Sequence, residues 1–176
     1  LHYALDNGHT EAAMAVIDKG ADVNARDNDG NTPLHHALRN GHTEAAMAVI
    51  DKGADVNARN NDGETPLHDA CRYGHTELAM ALIEKGADMN ISNNDGNTPL
   101  DIACLNGRTE VAMALIDKGA DVNARNNDGS TPLHIALQFA LTKVTMAMIE
   151  AGADVNNRNN NGNTPLHKAL MNGHAE

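Results

Sequence analysis

The sequence predicts an all-α solenoid of about six helix-pair units, the first and last of them partial. Two observations lead to this. Thr-Pro-Leu-His begins at Thr32, Thr65, Thr131 and Thr164, and the same motif with Asp101 in its last place begins at Thr98, so successive copies start 33 residues apart. A second signature, Gly-Ala-Asp-Val/Met-Asn, begins at Gly20, Gly53, Gly86, Gly119 and Gly152, with the same spacing. Self-similarity at this period marks stacked supersecondary units. The chain divides as 1–26 (partial), 27–59, 60–92, 93–125, 126–158 and 159–176 (partial), read as one domain.

Residues 27–59 show how one unit is written. Asp29-Gly30 is a turn signal. Thr32 suits an N-cap, and Pro33 suits the first helical position, where the missing N–H costs nothing. Leu34, Ala37 and Leu38 recur at i, i+3, i+4 and give a short helix one apolar face. Gly41 ends that helix as a left-handed cap. Thr43 opens a second helix, with Glu44 in its first turn near the positive end of the dipole. Ala46, Met47, Val49 and Ile50 are expected to meet neighbouring units, Gly53 stops the helix, and a hairpin-like loop leads on.

One such pair cannot bury its apolar face alone, whereas stacked pairs share a continuous seam. Three columns are therefore expected to form it: Leu1, Leu34, Leu67, Leu100, Leu133, Leu166; Ala4, Ala37, Ala70, Ala103, Ala136, Ala169; and Ile17, Ile50, Ile83, Ile116, Ile149. Only 2% of the 176 residues are aromatic, in keeping with a thin aliphatic layer. A net charge of -11 argues against nucleic acid and anionic membrane surfaces as partners. No apolar run reaches the roughly 18 residues of a membrane span. Leu1 falls inside the pattern, so the natural chain is expected to begin earlier.

These motifs closely resemble the ankyrin repeat family over the whole chain. The resemblance implies a curved stack, with first helices and loop tips lining a concave face. It also implies a protein-protein interaction module that binds another protein there, as a monomer and without catalysis. The alternative is a regulatory or targeting arm of a larger enzyme or channel. A designed repeat protein is disfavoured by irregularities such as Ala140 and Asp101.

No cofactor or metal is expected. His35, His68, His134 and His167 hold the motif's last place, where the resemblance implies hydrogen bonds to the motif Thr and nearby backbone. His2 joins that column, and His9, His42, His75 and His174 follow the inter-helix Gly, so evenly spaced structural roles replace the convergent ligands of a zinc site. His36 stands outside both columns and is placed on the binding face. Asp27-Asn28-Asp29-Gly30 resembles part of a calcium loop but lacks the acids at Ala25 and His36, so turn chemistry explains it better. Cys71 and Cys104 lie one repeat apart, too far for a disulfide, and read as buried free thiols suited to a reducing, intracellular and cytoplasmic setting.

Function should sit where the copies differ. The position before the motif holds Asn31, Glu64, Asn97, Ser130 or Asn163. The position after it holds Tyr3, His36, Asp69, Ile102, Ile135 or Lys168. The pair before the inter-helix Gly is Asp6-Asn7, Arg39-Asn40, Arg72-Tyr73, Leu105-Asn106, Gln138-Phe139 or Met171-Asn172. Exposed rings beside Arg or Leu have the make-up of an interface hot spot. The candidate patch is therefore Arg39, Arg72, Tyr73, Leu105, Gln138 and Phe139, the alternative being drift at unconstrained positions. Arg26, Arg59, Arg125 and Arg158 form a column broken by Ser92, read as local charge balancing or as contacts to an acidic partner. Met14, Met47, Met80, Met113 and Met146 form another, read as semi-buried packing or as an adaptable apolar surface. Ala140 in place of the inter-helix Gly predicts a distorted turn with a local change in curvature, and Asp101 predicts one lost imidazole bond. The resemblance further implies asparaginyl hydroxylation at Asn90 and Asn123, which follow Leu82 and Leu115 by eight residues, if the protein meets such an animal enzyme.

Overall fold

The computed structural model describes residues 1–171 and 173. Among them are eleven helices and no strand: α1 (His2–Asp6), α2 (Thr10–Asp18), α3 (Pro33–Arg39), α4 (Thr43–Asp51), α5 (Pro66–Tyr73), α6 (Thr76–Glu84), α7 (Pro99–Leu105), α8 (Thr109–Asp117), α9 (Pro132–Gln138), α10 (Thr142–Glu150) and α11 (Pro165–Met171). The chain forms two compact units, Leu1–Asp88 and Met89–Glu176. In the first, α1, α3 and α5 pack in sequence, with α2 against α4 behind them. In the second, α7, α9 and α11 pack in the same way, with α8 against α10.

Thr32, Thr65, Thr98 and Thr131 are the expected N-caps in extended geometry, and each motif Pro is the first helical residue. Second helices end in a Schellman motif: after α4, Gly53 N–H donates to Ile50 C=O at 3.0 Å and Ala54 N–H to Val49 C=O at 3.0 Å. Loop tips are closed by paired backbone bonds, as between Asp27 N–H and Asn31 C=O (3.0 Å). Neighbouring tips share a single backbone bond, for example Asn61 N–H to Asp29 C=O at 2.9 Å, and one rung does not make a ladder. That is why the hairpin-like loops carry no strand.

The inner members of the Leu and Ala columns are the core: Leu34, Leu67 and Leu100 are sealed from solvent, as are Ala37, Ala70, Ala103 and Ala136, whereas Leu1 is half-buried and Leu166 exposed. Burying one such Leu contributes about 1.5–3 kcal/mol. The Ile column departs from expectation. Only Ile50 and Ile116 are buried, and Ile149 is exposed. The second-helix seam of each unit instead lies one residue earlier, with Val49 and Leu82 fully buried in the first and Leu115 and Met148 in the second, while the equivalent Val16 is exposed. A helix turns about 100° per residue, so a one-residue offset moves a side chain from the seam to its rim. The Met column lies on that rim too: Met14, Met47, Met80 and Met113 are half-buried and Met146 is exposed. Cys71 and Cys104 are buried free thiols, and burial pushes the Cys71 thiol up.

Ala140 corrects an expectation. It adopts φ +53°, the left-handed conformation that Gly8, Gly41 and Gly107 hold at +67°, +69° and +65°. The bond across the turn is kept, with Leu141 N–H donating to Ala136 C=O at 2.9 Å, as His42 N–H donates to Ala37 C=O at 3.0 Å. The turn is therefore regular, and the departure is held as backbone strain of about 1–2 kcal/mol. At Gly41 a Cβ could not be accommodated in this way, because it would stand 2.7 Å from the His75 ring.

Candidate functional site

The motif histidines come first, because they hold the first helices in place. In α3, Thr32 N–H and Oγ1–H point at His35 Nδ1, at 3.1 and 2.8 Å. That leaves Nε2–H to donate to Glu64 C=O in the next repeat, at 3.1 Å. Two donors on Nδ1 fix the tautomer, and burial pulls the His35 pKa down to about 4. His134 repeats the bond to Asn163 C=O at 3.0 Å. Asp101 keeps only the local half of the arrangement: its Oδ2 accepts from Thr98 N–H (2.8 Å) and Oγ1–H (2.9 Å), while its buried Oδ1 has no partner. The lost imidazole bond is thus a bond between repeats. The second histidine column also acts between repeats, with His42 Nε2–H donating to Asp6 C=O at 3.1 Å at the end of α1. His174 lies outside the described residues.

The loop residues serve the fold as well. Asp27 Oδ1 accepts from Asp29 N–H (3.0 Å) and Asn31 N–H (2.8 Å), the side-chain-to-backbone bonding of an Asx turn. Its Oδ2 accepts from His36 Nε2–H at 2.9 Å, and His36 Nδ1 lies 3.3 Å from the Asp6 carboxylate. Burial raises the Asp27 pKa, but the bonds from His36, Asn31 and Asp29 outweigh it and hold it down at about 2. His36 is therefore tied into a half-buried network and is not an open face residue. The Arg column also differs from the charge-balancing reading. Arg26 donates to Arg59 C=O, and Arg125 to Arg158 C=O at 2.9 Å, so these guanidiniums satisfy backbone of the next repeat.

Three sets of variable positions separate by burial. Before the motif, Asn31, Glu64 and Ser130 are buried, and Asn97 and Asn163 are half-buried. After it, Asp69, Ile102 and Ile135 are buried, His36 and Lys168 are half-buried and Tyr3 is exposed; burial raises the Asp69 pKa to about 6 despite Arg39. The third set stays open, with Tyr73 43%, Leu105 40% and Phe139 45% exposed. Met171 is exposed, and Asn172 lies outside the described residues.

In the first unit, Arg39 and Arg72 have side chains 32% exposed and are aimed by the buried set. Arg39 Nη2–H donates to Asn31 Oδ1 at 2.8 Å, and its Nε lies 3.4 Å from the Asp69 carboxylate. Arg72 pairs with the Glu64 carboxylate. Tyr73, the last residue of α5, stacks on His75 with centroids 6.3 Å apart and planes 23° apart. In the second unit, Leu105 ends α7, Gln138 ends α9 and is half-buried, and Phe139 caps α9. Sequence reasoning missed the supporting roles of Asn31, Glu64 and Asp69. A legible signal existed for one of them, since Glu64 and Arg72 are opposite charges eight residues apart in one repeat.

A family model described as ankyrin repeats (3 copies) matches residues 1–60, 50–126 and 121–176, which together span the chain. No curated protein matches it. The proteins this family describes are, as a rule, binding modules for other proteins. Among the described residues, no helix is long and apolar enough to cross a membrane. Motif, fold and family match agree, and the chain belongs to the ankyrin repeat family.

Proposed function

We propose that this chain binds a partner protein through the open ends of its first helices, the side that the family resemblance makes concave. Arg39, Arg72 and Tyr73 would contribute from the first unit, and Leu105, Gln138 and Phe139 from the second. The observation that carries the reading is the exposure of Tyr73, Leu105 and Phe139 at equivalent helix ends, while the flanking Glu64, Asp69, Ile102, Ser130 and Ile135 are buried. A ring held against His75 beside a positioned guanidinium loses little side-chain freedom on binding, which favours an anchor role. With a partner isolated by affinity capture, Tyr73→Ala and Phe139→Ala should each weaken binding about thirtyfold, the 2 kcal/mol of a hot spot. Both should leave the urea unfolding midpoint unchanged. Unaltered affinity in both variants would remove the rings from the site.

The two buried thiols suit a reducing, intracellular setting. Asn90 and Asn123 are the places for asparaginyl hydroxylation. Both are exposed, and Asn123 bridges repeats through Nδ2–H to Gly152 C=O (3.1 Å) and Asp154 N–H to Oδ1 (2.8 Å). Incubation with an animal asparaginyl hydroxylase should add one oxygen to each peptide. Intact masses that do not change would dispose of the modification.

A further inference from the structure

Five Asn-Gly pairs occur, at Asn7, Asn40, Asn106, Asn161 and Asn172, the last outside the described residues. An asparagine followed by a residue without Cβ can cyclise. The glycine nitrogen attacks the side-chain Cγ, a new C–N bond forms, and ammonia leaves with the side-chain nitrogen. Solvent water then opens the cyclic imide at either C–N bond, giving aspartate or isoaspartate. No oxidant or reductant enters the balance. In a folded chain, the step needs a side-chain amide that is free to turn onto the following nitrogen.

Three of the described pairs are tied down. Asn7, Asn40 and Asn106 are the C-cap residues of α1, α3 and α7, with ψ of 7°, 0° and 7°. Each side-chain amide donates back onto the fold. Asn7 Nδ2–H reaches Tyr3 C=O at 2.9 Å, and Asn106 Nδ2–H reaches Ile102 C=O at 2.8 Å. Asn40 Nδ2–H reaches the Asp6 carboxylate at 2.9 Å and His36 C=O at 3.2 Å.

Asn161 differs. It stands at an exposed loop tip, its backbone N–H donates to Asn159 Oδ1 at 3.0 Å, and among the described residues its side-chain amide has no hydrogen-bond partner. The pair is held by Gly162 N–H to Asn159 C=O at 2.9 Å and by Arg158 Nη1–H to Gly162 C=O at 3.1 Å. We infer that Asn161 is a site of spontaneous deamidation, the one described Asn-Gly pair whose side chain the fold leaves free to cyclise onto its glycine. Position 161 is also where the other repeats carry Asp29, Asp62, Asp95 and Asp128. Asp62 and Asp128 hold the same turn through N–H bonds to Asn60 and Asn126 at 3.0 and 3.1 Å, so the aspartate product fits the tip and extends the acidic column by one charge. The isoaspartate product routes the backbone through Cβ, moves Gly162 out of register and releases its bonds to Asn159 and Arg158.

The test is peptide mapping by mass spectrometry of the folded chain, aged at mildly alkaline pH and body temperature. Fragmentation that separates aspartate from isoaspartate completes it. Asn161 is expected to convert about fivefold faster than Asn7, Asn40 or Asn106, each of which must first break a side-chain hydrogen bond. In denaturant the four rates should converge, and Asn161→Asp should remove the fast-converting peptide. Conversion at any of the other three that equals Asn161 in the folded chain would overturn the inference. So would an Asn161 advantage that persists unchanged in denaturant.

Discussion

Asp101→Asn should raise stability by about 3 kcal/mol at pH 7 and by almost nothing at pH 4. The carboxylate is sealed from solvent at the one motif position without an imidazole. Burial drives its pKa up and the Asp121 charge adds to this, while the bonds from Thr98 pull the other way; the balance lies at about 6 against an ordinary 3.8. A raised folded pKa means the folded chain holds a proton that the unfolded chain has given up. This stability is full below about 4 and is lost as the pH rises through 6. Asparagine cannot ionise. Its oxygen can accept from Thr98, and its amide can donate from the place of the orphaned Oδ1. Urea unfolding of both proteins from pH 4 to 8 checks this, and a gap that does not vary with pH would refute the assignment. Asp69, also raised to about 6, contributes in the same direction to both proteins and cancels in the comparison.

His35→Leu should cost about 2–4 kcal/mol at pH 7. Leucine fills much the same space but leaves Thr32 N–H buried without its acceptor and removes the bond between repeats to Glu64 C=O, which keeps only the Asn60 N–H of its own loop at 2.9 Å. The cost should shrink in acid. The His35 pKa is depressed to about 4, so its favourable contribution is present above about 6.5 and lost as the pH falls through 4. The gap between wild type and variant should therefore narrow over that window, the opposite sense to Asp101→Asn. Equal stability of the two proteins at pH 7 would show that the bond to Glu64 contributes nothing.

These opposite slopes come from one motif position, and they show how far the sequence could be read. The period, the caps and the Leu and Ala columns were legible because each rests on local rules: Thr before Pro starts a helix, Gly ends one, and spacing puts Leu34 and Ala37 on one side. The Ile column was misread because periodicity places a residue on a face to within about one position, while seam and rim differ by only one. The turn at Ala140 was misjudged for a related reason. A local penalty of 1–2 kcal/mol is small beside the packing on both sides of it, so the residue is strained and the backbone keeps its course.

The candidate site was legible only as a set of variable positions. Three such sets were equal on paper, and packing separated them by covering Asn31, Glu64, Ser130, Asp69, Ile102 and Ile135 of the flanking two and leaving the helix ends of Tyr73, Leu105 and Phe139 open. Local chemistry along the chain thus dictated which helices form and where they stop, since propensities and caps act within a few residues. Burial of Asp69, the orphaned Oδ1 of Asp101 and the aim of Arg39 were decided by packing between repeats, because each depends on atoms brought close only when the repeats stack.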